Sequence, residues 1–138
     1  MSIPRSLMNK KRKIILGFII TILLIALAGV GVIMSAQKNM ENLDMLIIND
    51  VDLSTIEDGT YSGSYSAFPI AVEVKVMTES NKITNVELVR HRNGQGAAAE
   101  VIPNAIIAEQ SLEVDLISGA TYSSKAILKA IENALTSN

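Results

Sequence analysis

From Ile14 to Met34 the chain runs for 21 residues without a charge, IILGFIITILLIALAGVGVIM. At about 1.5 Å of rise per helical residue such a run spans roughly 30 Å, the thickness of a bilayer's hydrocarbon core. It predicts a transmembrane helix over residues 14–34. Arg5, Lys10, Lys11, Arg12 and Lys13 precede it, while Lys38, Glu41, Asp44, Asp50, Asp52, Glu57 and Asp58 follow. The positive-inside bias therefore makes residues 1–13 a cytoplasmic basic tail and places the remainder outside, as a single-pass protein of the cell membrane. A cleaved signal peptide is the rival reading. Its apolar region is usually about 7 to 15 residues, shorter than this run, and Met34-Ser35-Ala36 is a poor small-x-small cleavage site. An uncleaved anchor fits better.

In a chain of 138 residues such an anchor leaves room for one compact domain, expected over residues 58–138 and joined to the anchor by residues 35–57. Residues 35–138 carry 7 basic and 14 acidic side chains, a net charge of −7. A surplus of carboxylates argues against a nucleic-acid partner, since phosphate backbones require clustered Lys and Arg. The absence of cysteine excludes disulfides, thiolate zinc sites, Cys-ligated iron–sulfur clusters, CxxCH haem attachment and a lipoprotein anchor. The single His91 cannot make a multi-histidine metal site, and is expected to be a polar residue at a strand end without chemistry of its own. With no cysteine, one histidine and no Gly-x-Ser-x-Gly elbow, an independent hydrolase is the least favoured class. No catalytic or metal-ligating residue is assigned, and a redox role would require an organic cofactor.

Periodicity outlines an α+β domain. Within residues 35–57, Met40, Leu43 and Ile47 fall at helical spacing, predicting a short juxtamembrane helix and a linker. Asp58-Gly59-Thr60-Tyr61 is a turn signal, and Tyr61 and Tyr65 sit at i and i+4 of an extended segment that opens a sheet. From Ile70 to Thr78, Ile70, Val72, Val74 and Val76 alternate with Ala71, Glu73, Lys75 and Met77, which is the pattern of a half-buried strand. Glu79-Ser80-Asn81-Lys82 has turn composition, and Ile83–Arg90, with Val86 and Leu88 two apart, predicts the returning strand of an antiparallel hairpin. Asn93-Gly94-Gln95-Gly96 predicts a flexible connection. Ala97–Gln110 predicts an amphipathic helix interrupted or restarted at Pro103. Leu112, Val114 and Leu116 alternate as a short strand would. A final helix, Ser124 to about Leu135, carries Ile127, Ile131, Ala134 and Leu135 on one face and Lys125, Lys129, Glu132 and Asn133 away from it, with Ser123 or Ser124 as its cap. The expected architecture is a small antiparallel sheet packed by two helices behind one transmembrane helix.

The segment Asp115-Leu116-Ile117-Ser118-Gly119-Ala120-Thr121-Tyr122-Ser123 leads into that last helix. Unpaired N–H groups and the positive end of the macrodipole make a helix start favourable for a phosphate. Gly119 permits a sharp turn and close ligand approach, Ala120 keeps its side chain small, Ser118 and Ser123 can donate to phosphate oxygens, and Thr121 presents its hydroxyl alongside. Taken alone, Ser-Gly-Ala-Thr also suits an ordinary helix-capping loop.

With these residues in place the chain resembles, over roughly residues 57–136, the FMN-binding domain of the C subunit of the sodium-translocating NADH:quinone reductase and the G subunit of the Rnf complex. That family's Asp-x-x-Ser/Thr-Gly-Ala-Thr pattern is matched by Asp115, Ser118, Gly119, Ala120 and Thr121. Asp58-Gly59-Thr60-Tyr61, the alternating hairpin and Ser124-Lys125-Ala126-Ile127-Leu128 also look like small stand-alone members. The resemblance implies that Thr121 is joined to FMN by a phosphoester, transferred from FAD by a flavin transferase. It further implies that Asp115 and Ser118 to Ala120 form the transferase's recognition element, with Tyr122 and Ser123 near the phosphate and ring. Residues 35–138 lack the extra segments of the large-complex subunits, so pump membership is not implied. Tyr61, Tyr65 and Phe68 are expected to pack in or beside the core and are left outside the site.

The favoured function is then an extracytoplasmic, membrane-anchored electron carrier, its partners being the flavin transferase, membrane redox donor and acceptor proteins and the lipid bilayer. Two alternatives stand beside it. One is a sensor or accessory protein binding FMN reversibly. The other is a flavin-free interaction domain using a strand edge or the juxtamembrane helix.

Overall fold

A computed structural model describes residues 5–137. The first four residues of the expected basic tail lie outside them. The chain divides into two units, one ending at Gln37 and one beginning at Lys38.

In the first unit the uncharged run is helical throughout, and its large apolar side chains from Ile14 to Met34 are exposed. The helix, α1 (Arg5–Asp44), is long and apolar enough to cross a membrane. It does not stop at the end of the uncharged run, where the sequence suggested a break before a separate short helix. Nothing in Ser35–Asp44 breaks it, since the segment contains neither Gly nor Pro.

The second unit is an α+β domain. Its sheet has three antiparallel strands in the order β1 (Gly59–Ala67), β2 (Ile70–Glu79), β3 (Lys82–Arg92). β2 behaves as its alternation predicts, with Ile70, Val72, Val74, Val76 and Thr78 buried and Glu73, Lys75 and Met77 exposed. The β2–β3 hairpin closes through Ser80 and Asn81, whose φ values of 52° and 61° are the positive pair a two-residue turn needs to match the right-handed twist of its strands. Two bulges interrupt the β2–β3 ladder. Thr84 is an extra residue between the pairs Thr78↔Ile83 and Met77↔Asn85, and Val89 is extra between Val74↔Leu88 and Glu73↔Arg90. Each bulge reverses the inward–outward parity of β3. After the second, Arg90 points outward to an ion pair with Glu73 (3.3 Å) and His91, opposite Val72, points inward.

A 3₁₀ turn at Ala97–Val101 leads into α2 (Ile102–Glu109), which restarts at Pro103 as expected because a proline fits the first helical turn, where its missing N–H costs no bond. Gln110 ends α2 in the left-handed region (φ 53°), and its amide ties the helix to β3 by exchanging bonds with the Ile83 N–H and carbonyl, both 2.8 Å.

The expected strand at Leu112–Leu116 does not form; this segment pairs with no strand. Its first two amides, and that of Ile117 just after it, find side chains instead. Leu112 N–H donates to Asp50 Oδ1 (2.8 Å), Glu113 N–H to Ser111 Oγ (3.0 Å) and Ile117 N–H to Ser124 Oγ (3.1 Å). An alternating pattern supplies a face to bury but no ladder partner.

The last helix, α3 (Thr121–Thr136), begins three residues earlier than its periodicity suggested. Ile127, Ile131, Ala134 and Leu135 face the sheet's inner side, and Gly63 of β1 permits the closest approach. A Cβ added at Gly63 would lie 2.2 Å from the Ala130 carbonyl oxygen and 2.5 Å from the Ala134 nitrogen. Neither serine caps the helix. Ser124 Oγ donates back to the Ala120 carbonyl (2.8 Å), and Ser123 Oγ turns toward β3.

Glu132, expected to face away from the core, is buried. It accepts from Lys129 Nζ (3.0 Å), Asn49 Nδ2 (3.2 Å) and Asn49 N–H (3.4 Å). Residues expected to form only a linker are thereby strapped onto the domain: Ile56 is buried, and Leu46, Ile48, Val51 and Leu53 pack against the core. Burial pushes the Glu132 pKa up, but the bonds from Lys129 and Asn49 outweigh it, and the pKa falls below its ordinary 4.5. A carboxylate with a lowered folded-state pKa stabilises the fold above its ordinary value, and that contribution is lost as pH falls through the folded value.

Two outcomes follow for the full chain in detergent, with guanidinium unfolding monitored by tyrosine circular dichroism. Gly63→Ala should lose about 1–3 kcal/mol, because the intruding methyl meets backbone that cannot move without displacing α3. As pH drops below about 4.5, wild type should lose stability more steeply than Glu132→Gln, which has no proton to take up.

Candidate functional site

The turn before α3 is fastened at both ends. Gly119 takes φ 78°, in the left-handed region that favours glycine, the Ala120 N–H donates to the Ile117 carbonyl (2.9 Å), and Ser124 Oγ bridges Ile117 N–H and the Ala120 carbonyl. This fixes where α3 starts. Thr121, Tyr122 and Ser123 then form its first turn, whose N–H groups have no intrahelical acceptor. Among the described residues no side chain accepts from them, and no hydrogen bond engages the Thr121 hydroxyl.

Beside this turn lies a cavity of about 320 Å³. Met40, Pro69 and Ile70 form an apolar wall, the loop Asn93–Gly96 a second wall, and Gly119–Ser123 a third. The structure thus brings five of the seven sequence-assigned site residues, Gly119, Ala120, Thr121, Tyr122 and Ser123, to one cavity. Asp115 and Ser118 do not line it and are exposed on the approach to the turn. Tyr61, Tyr65 and Phe68 stay outside it: the two tyrosines pack against the core, and Phe68 is largely exposed.

His91 does not line the cavity but contacts Ser123, which does, a link its position near a strand end did not reveal. Its side chain is only 3% exposed, with Nδ1 3.0 Å from Glu100 Oε1 and Nε2 3.2 Å from Ser123 Oγ. The Val89 bulge turns it inward. Ser123 Oγ also lies 3.4 Å from the Asn93 carbonyl, but its one hydrogen serves a single acceptor. Gly96 closes the arrangement: a Cβ there would stand 2.2 Å from Ser123 Oγ and 3.1 Å from the Asn93 carbonyl. The loop's backbone therefore sits directly on Ser123.

The site is one for a ligand with an anionic end and a flat apolar body. Free first-turn amides and the helix dipole suit a phosphate, Met40, Pro69 and Ile70 suit a ring, and glycine at position 96 lets backbone come close. Flavin mononucleotide has those two parts.

Comparison with known proteins reaches the same class. The FMN-binding domain family matches residues 65–136, more than half of the chain, and the protein belongs to that family. It is 35% identical over 65 residues to a urocanate reductase of Eggerthella lenta, covering 45% of this chain and 11% of that protein. It is 35% identical over 81 residues to an NADH:acrylate oxidoreductase of Vibrio harveyi, covering 54% and 8%. It is also 31% identical over 83 residues to an uncharacterized protein of Treponema pallidum, covering 58% and 23%. The chain thus spans under a quarter of the length of each of these relatives.

Gly96→Ala should weaken FMN binding by about tenfold, since overpacking by one methyl commonly costs 1–3 kcal/mol and here pushes two walls of the cavity apart. Titration followed by quenching of flavin fluorescence measures this; unchanged affinity would mean that the 96–123 contact does not shape the cavity.

Proposed function

We propose that this protein is a membrane-anchored, extracytoplasmic electron carrier holding FMN as a phosphoester on Thr121. The observation that carries the reading is the position of Thr121: first residue of α3, hydroxyl free of internal bonds, at the wall of a cavity suited to a flavin.

The charge of the cavity supports covalent rather than reversible attachment. Among the described residues lining it there is no Lys, Arg or His. The phosphate of free FMN is largely a dianion at neutral pH, whereas a phosphodiester carries one negative charge. A helix amino terminus supplies the equivalent of about half a positive charge, which suits the diester better. In the attachment the Thr121 oxygen bonds to the flavin-side phosphorus of FAD, the pyrophosphate bond breaks, AMP departs and the hydroxyl proton is released. Asp115 and Ser118, exposed beside the turn, stand where a flavin transferase can read them.

Once bound, FMN supplies the redox chemistry, exchanging one or two electrons. The residues that would hold it are the first-turn amides of α3, toward an anion, and the apolar Met40, Pro69 and Ile70 with the Asn93–Gly96 loop, toward the ring. Membership of an FMN-binding family supports electron transfer, as do relatives named as a reductase and an oxidoreductase. The apolar α1, the basic residues before it and the net −7 of residues 35–138 support an anchor with its domain on the outer side, facing membrane redox partners.

The deciding measurement is the intact mass, after acid denaturation, of the full chain co-expressed with a flavin transferase. Wild type should gain one FMN less one water and Thr121→Ala nothing. Unmodified wild type that is yellow when native would replace the phosphoester by reversible binding, and colourless wild type would end the flavin reading.

A further inference from the structure

We propose that His91 is a positioning residue for the flavin site, acting through Ser123 to hold the Asn93–Gly96 wall against the first turn of α3. The inference rests on the flavin reading and adds to it a residue from the opposite edge of the sheet.

The direction of each hydrogen bond follows from chemistry. A carboxylate only accepts, so His91 Nδ1 carries the hydrogen toward Glu100 Oε1 at 3.0 Å. In the neutral ring Nε2 is then an acceptor, and the Ser123 hydroxyl donates to it across 3.2 Å. That bond is shorter than the 3.4 Å to the Asn93 carbonyl, and Ser123 has one hydrogen to give. With the ring neutral, that hydrogen is spent inside the protein. Anion binding falls to the first-turn amides, and Ser123 fixes the turn that presents them.

Burial makes the chain of bonds rigid. His91 is 3% exposed in its side chain and Ser123 is 1% exposed, so the bond between them is shielded from water, while Glu100 at the outer end is half exposed. Ser123 lies two residues from Thr121 in the same helical turn and contacts Gly96 on the opposing wall. Removing the imidazole leaves Ser123 Oγ only the longer contact to the Asn93 carbonyl (3.4 Å), which ties it to one wall but no longer to β3, and so loosens the phosphate end.

The test uses the full chain in detergent, as wild type, His91→Gln and His91→Phe. Glutamine places an amide near the Nε2 position, whereas phenylalanine fills the volume without a polar atom. Equilibrium FMN affinity and the extent of attachment by a co-expressed flavin transferase are read beside the visible circular dichroism of the bound flavin. His91→Phe should bind FMN about tenfold more weakly and alter the flavin dichroism, with His91→Gln restoring most of both. Since the protein has one histidine, ¹⁵N labelling reads its ring without assignment, and wild type should show a protonated Nδ1 and a bare Nε2. Wild-type affinity and dichroism in His91→Phe, or a bare Nδ1 in wild type, would overturn the inference alone. Failure of wild type itself to take FMN would overturn the flavin reading and this inference with it.

Discussion

The seat of α3 on the sheet is the constraint from which the site follows. The helix crosses β1 where Gly63 has no side chain, bringing the Ala130 carbonyl and Ala134 amide to distances that no Cβ would tolerate. From Ala130 to Thr121 is nine residues, about 14 Å of helix, so a tilt of about 5° at the crossing moves Thr121 by about 1 Å. A rigid crossing alone would leave that lever free at its working end. The second fixing point lies there, in the Ser123–His91 contact and the Gly119–Ala120 turn. Glu132 adds a third by gripping Asn49.

How much of this was legible in the sequence varied with whether the signal was local. The β2 alternation, the Ser80-Asn81 turn and the apolar face of α3 each depend on residues near one another in the chain, and each appears where expected. His91 was missed because strand parity carries only to the next bulge. Counting inward from Val86 and Leu88 gives Arg90; the extra residue at Val89 makes it His91 instead. Leu112–Leu116 has the alternation of a strand, but pairing depends on a neighbour the pattern cannot specify, and the Leu112 and Glu113 amides go to Asp50 and Ser111 instead. Glu132 appeared to be a solvated position because Asn49, which helps bury it, lies far away in sequence; only Lys129, three residues before it on α3, is a local partner.

Electrostatics separates what the cavity does from what the rest of the domain does. Residues 35–138 are strongly acidic, and no cationic side chain appears among the described residues at the cavity. A site that retained a phosphate dianion by charge would be expected to place Lys or Arg against it, as charge-assisted bonds are the strong ones. Here the anion would meet backbone amides and a partial charge. The buried hydroxyls at that end are engaged within the protein, Ser123 beside His91 and Ser124 on the Ala120 carbonyl.

That weak electrostatic grip is consistent with a covalent tether on Thr121. Retention of a reversibly bound cofactor depends on its free concentration relative to the dissociation constant. A phosphoester removes the dependence, so the remaining contacts need only orient the ring. On this reading the small apolar wall of Met40, Pro69 and Ile70 is sufficient, and the precision of the site resides in the backbone at Gly96, Gly119 and the first turn of α3. A carrier built this way can leave part of its flavin open to a redox partner, because holding the cofactor no longer requires enclosing it.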